Sequence, residues 1–278
     1  MAADGVIGKS VVDAGGRVYV EPVPFSPVQT SAPIPAAEAV AQIQSAGLGY
    51  ERVQLLPGST YRDSSTVLLI PTRGMMHHRF VSSLQSLIAP MNQKRAMFFV
   101  AGDEVGHAYN RMIQHVLDNP DLSKWKYVMT VEDDNLLPPD AQVRLLEAIE
   151  HGNYDAVSGI YFTKGDLNMP MAYGDPMKFR QTGVLDFQPL DIRAALAKGN
   201  LVEVNGIAMG CSLYRMELFR QIPAPWFVTV ADVIEGQGVR AFTQDLYFAE
   251  RACRAGKRFA VDMRVRVGHL CVNTGIVY

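Results

Sequence analysis

Residues 127–135 (YVMTVEDDN) carry the strongest structural signal in this chain. The first five are apolar or β-branched and predict a buried strand of a parallel sheet. Glu132, Asp133 and Asp134 follow at once, so three mutually repelling carboxylates lie at a strand's carboxyl end. Ligands of open α/β sheets bind at such ends, and a divalent cation with phosphate oxygens would cancel the repulsion. The triplet predicts a metal–phosphate site; the alternative is a solvated acidic turn.

Strands and helices alternate on both sides of this stretch. We expect buried strands at 66–70, 96–101 and 156–162, and helices at 76–88, 105–116 and from Pro138 onward. Further on, we expect strands at 207–214 and 259–267, helices at 216–221 and 243–255, and a long binding loop over 163–200. The alternation predicts an α/β fold with a mixed, mostly parallel sheet flanked by helices.

Composition narrows the class of protein. The 278 residues are 48% hydrophobic and 19% charged, which excludes a wholly disordered chain. The net charge of −2 does not indicate nucleic acid as a partner. The three cysteines form no CxxC pair, which excludes a zinc ribbon. No secretory leader is apparent, and no apolar run approaches the roughly 18 residues of a membrane span. We therefore expect a cytoplasmic protein without a membrane span.

Residues 1–60 differ from the rest of the chain. Five prolines fall between positions 21 and 37, which predicts an extended Pro/Ala-rich arm before a folded domain over 61–278. Gly15-Gly16 and the following residues suit a short hairpin or edge strand, and 36–46 suits a short helix. An arm that wraps the core or a partner subunit would be a route to a homo-oligomer.

Three further positions are candidates for chemistry. Thr243 is a natural helix N-cap, which places Asp245 in the first turn of a helix. The helix dipole should keep Asp245 ionised, as a general base must be. The alternative is that Asp245 only complements the helix dipole. His269 ends a strand and is a candidate ligand, although a lone histidine is more often structural. Arg73, before Gly74, is suited to a phosphate or a base edge, unless this is an ordinary turn.

The order of these motifs resembles that of the GT-A fold glycosyltransferases, most closely family 2 and its relatives. The resemblance covers about residues 66–271. It rests on Pro71-Thr72 after the first strand, Asn110-Arg111, the acidic triplet, 206–215 (GIAMGCSLYR), Gln244-Asp245, and Gly268-His269.

The resemblance implies a donor site for a UDP- or GDP-sugar. Pro71 and Thr72 match the strand end that receives the base, and Arg111 matches a position near the nucleotide pocket. Glu132 or Asp133 would face the ribose. Glu132 stands where the family usually has an aspartate.

The resemblance also implies a metal and a base. Asp134 would ligate Mn²⁺ or Mg²⁺, and His269 matches a histidine that ligates the metal in some relatives. Asp245 would take the proton from an acceptor hydroxyl, which predicts inversion at the anomeric carbon. Gln244 replaces the family's usual acid beside that base.

The acceptor side is less defined. Gly210, with Cys211, matches the strand under the acceptor pocket, and Trp226 would either stack on a sugar ring or close the core. Tyr161, Lys164 and Tyr173 lie in the expected donor or acceptor loop, and 163–180 and 228–239 are candidate mobile segments.

Other functions remain compatible with the sequence. They are a retaining transferase or a nucleotidyltransferase on the same sheet, and a non-catalytic binding or assembly protein on a degenerate transferase fold. The residues leave the sugar, the nucleotide base and the acceptor open.

Overall fold

The computed structural model describes the backbone of residues 8–12, 18–22, 62–234 and 238–278, and the side chains of 62–231 and 243–278. Residue contacts divide the chain into two units, 1–61 and 62–278. In the first unit, β1 (Gly8–Val12) and β2 (Val18–Pro22) pair antiparallel, in agreement with the predicted hairpin. The remainder of the expected arm, including the helix expected over 36–46, lies outside the described residues.

The second unit is built around a seven-stranded sheet in the order β4-β3-β5-β11-β7-β14-β9. Five of these strands run in one direction, and β11 and β9 oppose them. The strands of this unit are β3 (Thr66–Thr72), β4 (Arg95–Ala101), β5 (Tyr127–Val131), β6 (Asn135–Leu136), β7 (Ala156–Ile160), β8 (Ala172–Tyr173), β9 (Leu201–Val204), β10 (Gly206–Ile207), β11 (Cys211–Arg215), β12 (Val230–Ile234), β13 (Gly238–Phe242), β14 (Phe259–Arg266) and β15 (Gly268–His269).

Helices cover both faces of the sheet, as the alternating pattern predicts. They are α1 (His78–Ser86), α2 (Val105–Asp118), α3 (Ala141–His151), α4 (Pro176–Thr182), α5 (Ile192–Lys198), α6 (Met216–Gln221) and α7 (Gln244–Arg254), with a 3₁₀ turn at Leu122–Lys124. Successive residues of β3 point to opposite faces. Val67 and Leu69 therefore pack with α2, α6 and α7, whereas Leu68 and Ile70 pack with α1 and α3. No helix of the described residues is long and apolar enough to cross a bilayer.

Two predictions need correction, one about the burial of a strand and one about a long loop. The predicted buried strand at 96–101 lies at the edge of the seven-stranded sheet, and Met97 and Phe99 are each 46% exposed among the described residues. The predicted loop over 163–200 contains β8, α4 and α5. Both helices begin at an aspartate whose side chain accepts from the first-turn backbone, a capping signal visible in the sequence.

Two further segments are divided differently from the prediction. The strand expected at 207–214 is split into β10 and β11, with the turn at 208–210 between them. The candidate mobile segment 228–239 contains β12 and part of β13, which form an antiparallel hairpin. Its residues 235–237 lie outside the described part of the chain.

Asn110 on α2 fastens the loop that contains Trp226. Its Oδ1 accepts from the backbone N–H of Trp226 at 2.9 Å and of Phe227 at 3.1 Å, and its Nδ2 donates to the Phe227 carbonyl. Trp226 is only 3% exposed, and its indole N–H donates to the Ile222 carbonyl at 2.7 Å. The ring therefore closes the core and has no free face for a sugar, which favours the second of the two roles that the sequence leaves open for Trp226.

We expect Asn110→Ala to lower the free energy of unfolding by about 2–4 kcal/mol, because it leaves three backbone groups without their partner. Gln114→Ala is the matched control, since Gln114 lies on the exposed side of the same helix and bonds only to Asp118 at 2.8 Å. Urea unfolding of both variants measures the difference. Equal stabilities would show that the Asn110 contacts do not anchor the loop.

Candidate functional site

A cleft of about 340 Å³ opens at the carboxyl edge of β4, β3 and β5. These three strands are parallel neighbours, so the residues that follow each of them meet at one edge. The N–H of Gly102 donates to the Thr72 carbonyl at 3.1 Å and ties two of the strand ends together. The lining consists of Pro71, Thr72, Arg73, Asp103, Val105, Glu132, Asp133 and Asp134. The structure thus brings the predicted donor turn and the acidic triplet into one cavity.

Arg73 bridges the turn to the triplet. Its backbone N–H donates to Asp133 Oδ2 at 3.2 Å. Its guanidinium lies 3.6 Å from Asp133 Oδ1 and 3.5 Å from Asp134 Oδ2. Because the Arg73 side chain is 66% exposed, these ion pairs contribute little stability, and the guanidinium stays available to an anionic ligand.

Asp134 faces a cation and a neutral imidazole. Lys164 Nζ lies 2.5 Å from Asp134 Oδ2, and His269 Nε2 lies 3.9 Å from the same oxygen. His269 Nδ1 donates to the Phe162 carbonyl at 2.7 Å, which leaves the Nε2 lone pair free on the side of Asp134. Burial lowers the pKa of His269 and favours this neutral form. The pairing of β15 with β6 places His269 opposite Asn135, next to the triplet.

Asp134 and His269 fit a two-ligand metal site. Bonds of about 2.1 Å from each donor could reach one ion across their 3.9 Å separation. A mixed carboxylate and imidazole set suits Mn²⁺, and phosphate oxygens commonly complete such sites. Within the described residues no third aspartate, glutamate, histidine or cysteine converges there. The position beside Asp134 is held by the Lys164 ammonium.

Glu132 lies at the inner end of the cleft. Burial, together with the negative charges of Asp134 and Asp245, raises the pKa of Glu132 to about 8. Its backbone N–H donates to the Gly210 carbonyl at 3.3 Å. A Cβ at Gly210 would lie 2.4 Å from Asn135 Oδ1, so only glycine fits beneath the triplet. Gly210 supports the cleft from below, whereas the cleft lining does not include it.

Asp245 lies in the first turn of α7 and is 7% exposed. Its Oδ1 has no hydrogen-bond partner among the described residues. Burial raises its pKa and outweighs the hydrogen bonds from Thr243 and Leu246, which lower it. The negative charge of Asp245 helps to raise the pKa of Glu132, but Asp245 is not part of the cleft lining.

Two other predicted site residues, Arg111 and Gln244, are not part of the cleft lining. Arg111 forms an ion pair with Asp103, which is a residue of the cleft lining. Gln244 Oε1 lies 3.4 Å from the Thr229 hydroxyl, which is 3.1 Å from Glu104 Oε1.

Sequence reasoning did not single out Asp103 or Tyr109. Asp103 follows β4 as the triplet follows β5, so the strand-end rule could have found it. Tyr109 is fully buried, and its hydroxyl has no hydrogen-bond partner among the described residues. Burial raises the pKa of Tyr109, and the negative charges of the triplet raise it in the same direction. No sequence signal distinguishes Tyr109 from an ordinary core tyrosine. The ion pair of Lys164 and Asp134 joins residues 30 positions apart, and no sequence signal predicts it.

Comparison with solved structures gives a likeness of fold. The crystal structure of A197 from STIV has a TM-score of 0.51 to this chain at 17% identity, and the match covers 74% of this chain and 86% of A197. The structure of GalNAc-T7 with UDP, GalNAc and Mn²⁺ gives a TM-score of 0.44 at 9% identity, covering 76% of this chain and 44% of that one. No family model matches the chain, and no curated protein resembles its sequence.

The fold is GT-A-like. The seven-stranded, mostly parallel sheet with helices on both faces confirms the predicted fold class. At these identities the likeness extends to the fold alone.

We expect Glu132→Gln to remove a pH dependence of stability. The pKa of this carboxyl is about 8 in the folded protein and about 4.5 in the unfolded chain. The folded protein therefore keeps the proton up to a higher pH than the unfolded chain does. The wild type therefore loses stability as pH rises from about 4.5 to about 8, by up to about 1.4 kcal/mol per pH unit. Glu132→Gln lacks this loss, so its advantage over the wild type grows with pH across that window.

Chemical denaturation at pH 5, 6.5 and 8 measures this difference. Glu147→Gln is the control, because the Glu147 side chain is 65% exposed and should follow the wild-type curve. A Glu132→Gln profile that runs parallel to the wild type would contradict the raised pKa of Glu132.

Proposed function

We propose that residues 62–278 form a glycosyltransferase domain that moves a sugar from a nucleotide-diphosphate sugar to an acceptor hydroxyl with inversion. The observation that carries the proposal is the cleft where the Pro71-Thr72 turn and the acidic triplet meet. The nearby Asp134–His269 pair and the buried Asp245 supply the remaining chemistry. Residues 1–61 are proposed to be a separate arm and a candidate homo-oligomer contact.

The donor is a UDP- or GDP-sugar. Its base lies against Pro71 and Thr72, and Asp103 and Asp133 face the ribose, because carboxylates accept from ribose hydroxyls. Glu132, with a pKa of about 8, is largely protonated at neutral pH and donates to a ribose oxygen instead. The diphosphate lies beside the exposed guanidinium of Arg73.

Asp134 and His269 are the residues that would hold Mn²⁺ or Mg²⁺. A bound cation offsets the negative charge that develops on the leaving diphosphate. Arg73 and Lys164 add positive charge from the chain itself. The neutral state of His269 suits ligation, since its Nε2 lone pair is unprotonated.

Asp245 is the base. Its raised pKa makes it a stronger proton acceptor than an exposed aspartate. It takes the proton of the acceptor hydroxyl while the hydroxyl oxygen attacks the anomeric carbon opposite the leaving diphosphate. This geometry inverts the configuration. Gly210 and Gln244 remain the residues proposed for the acceptor side, and Arg111 orients Asp103 at the donor side.

We expect a nucleoside diphosphate with Mn²⁺ to raise the melting temperature of the wild-type protein. UDP, GDP, ADP and CDP are compared with and without Mn²⁺. A ligand at about 100 times its Kd adds about 2.7 kcal/mol, which corresponds to roughly 5–10 °C for a domain of this size. Asp134→Ala should lose the Mn²⁺-dependent part of the shift.

Asp186→Ala is the matched control. Asp186 also pairs with a lysine, since Lys178 Nζ lies 2.6 Å from its Oδ2, but it does not line the cleft. It should keep the wild-type shift. A shift that Asp134→Ala retains in full, or no shift with any of the four nucleotides, would contradict the proposed donor site.

A further inference from the structure

Lys164 lies where a cation bound to Asp134 would lie. Its Nζ is 2.5 Å from Asp134 Oδ2, and the two side chains are 31% and 14% exposed. This is the closest cationic contact that Asp134 makes, since the Arg73 guanidinium is 3.5 Å away. A charge-assisted contact of this kind, sheltered from water, is stronger than an ordinary surface pair.

The backbone presents Lys164 to the site in a closed hairpin. Thr163 N–H donates to the Met169 carbonyl at 2.8 Å, and Met171 N–H donates to the Tyr161 carbonyl at 2.9 Å. Between these bonds, Gly165 and Asn168 adopt positive φ angles of 94° and 42° and turn the chain. The position of Lys164 therefore follows from main-chain contacts as well as from its ion pair.

The same hairpin also holds the second metal-ligand candidate. The Phe162 carbonyl accepts from His269 Nδ1 at 2.7 Å, two residues before Lys164. One segment thus orients the imidazole and places an ammonium beside the carboxylate that the imidazole faces. A change at Lys164 can occur without breaking the Phe162 contact.

Cationic side chains of the chain already oppose Asp133 and Asp134. Arg73 lies beside both carboxylates, and Lys164 contacts Asp134. A divalent cation would thus enter a site where Asp134 already has a cationic partner. It gains the full attraction of Asp134 only when the ammonium leaves that oxygen.

We propose that Lys164 is the resident counter-ion of Asp134, that a divalent cation displaces it, and that the displaced ammonium binds the donor diphosphate. The inference rests on the proposed function, because it assigns the exchange to the same site. Cation and diphosphate each draw one partner of the Lys164–Asp134 pair away from the other. They therefore bind with positive cooperativity, and the effect is reciprocal.

Mn²⁺ binding to the full-length protein, followed by the electron paramagnetic resonance signal of free Mn²⁺, tests the exchange. Lys164→Met keeps the length of the side chain and removes its charge, and should bind Mn²⁺ at least about tenfold more tightly than the wild type. Lys164→Arg keeps the charge and should stay within about threefold of the wild type. Lys178→Met removes a lysine from a comparable Lys–Asp pair and should change nothing.

Diphosphate probes test the second part of the proposal. UDP and GDP should raise the Mn²⁺ affinity of the wild type, after correction for Mn²⁺ bound by the nucleotide itself. In Lys164→Met the enhancement should be several-fold smaller, because no ammonium remains to be exchanged. An equal enhancement in both proteins would overturn the proposed transfer of Lys164 to the diphosphate.

The outcomes separate this inference from the proposed function. If Asp134→Asn abolishes Mn²⁺ binding while Lys164→Met leaves it unchanged or weaker, the metal site stands and the counter-ion role is wrong. If no variant binds Mn²⁺ and Asp134→Asn has no effect, both are wrong. Thermal melts confirm folding, and Lys164→Gln, which keeps a polar end on the hairpin, replaces Lys164→Met if that variant is unfolded.

Discussion

The rest of the candidate site depends on the mutual repulsion of three adjacent carboxylates at the end of a buried strand. Glu132, Asp133 and Asp134 are consecutive residues in the turn that follows β5, so their negative charges repel one another. The surrounding structure relieves the repulsion in three ways. Arg73 and Lys164 bring positive charge, the Arg73 backbone donates to Asp133, and burial keeps Glu132 protonated. The same groups support the proposal that the cleft binds a diphosphate and a cation.

Burial raises the pKa of Asp245 although the residue lies in the first turn of a helix. Asp245 lies at a helix N-terminus, where an exposed aspartate would be easily ionised. Loss of water raises its pKa instead, and its Oδ1 is left without a partner among the described residues. An acid kept in this state is a better proton acceptor, at some expense of stability. This environment supports the proposal that Asp245 is the base for an acceptor hydroxyl.

The sequence predicts those parts of the molecule that follow from local rules. Apolar runs located β3, β5 and β14, and the strand-end rule located the Pro71-Thr72 turn and the triplet. Such rules fail where two contacting residues are distant in sequence, or where the burial of a strand depends on its position at the edge of the sheet. The Lys164–Asp134 pair, the burial of Trp226 and the exposure of Phe99 all arise from tertiary neighbours, which periodicity does not encode.

The central claim is that Asp245 and the acidic cleft act together in inverting sugar transfer. Proton NMR of the sugar released from UDP- and GDP-sugars by the full-length protein tests it most directly, with water as the acceptor. The first sugar formed should have the inverted anomeric configuration, and Asp245→Asn should slow its release by about 10²–10⁴-fold. A first product with retained configuration, or a release rate unchanged in Asp245→Asn, would contradict the claim.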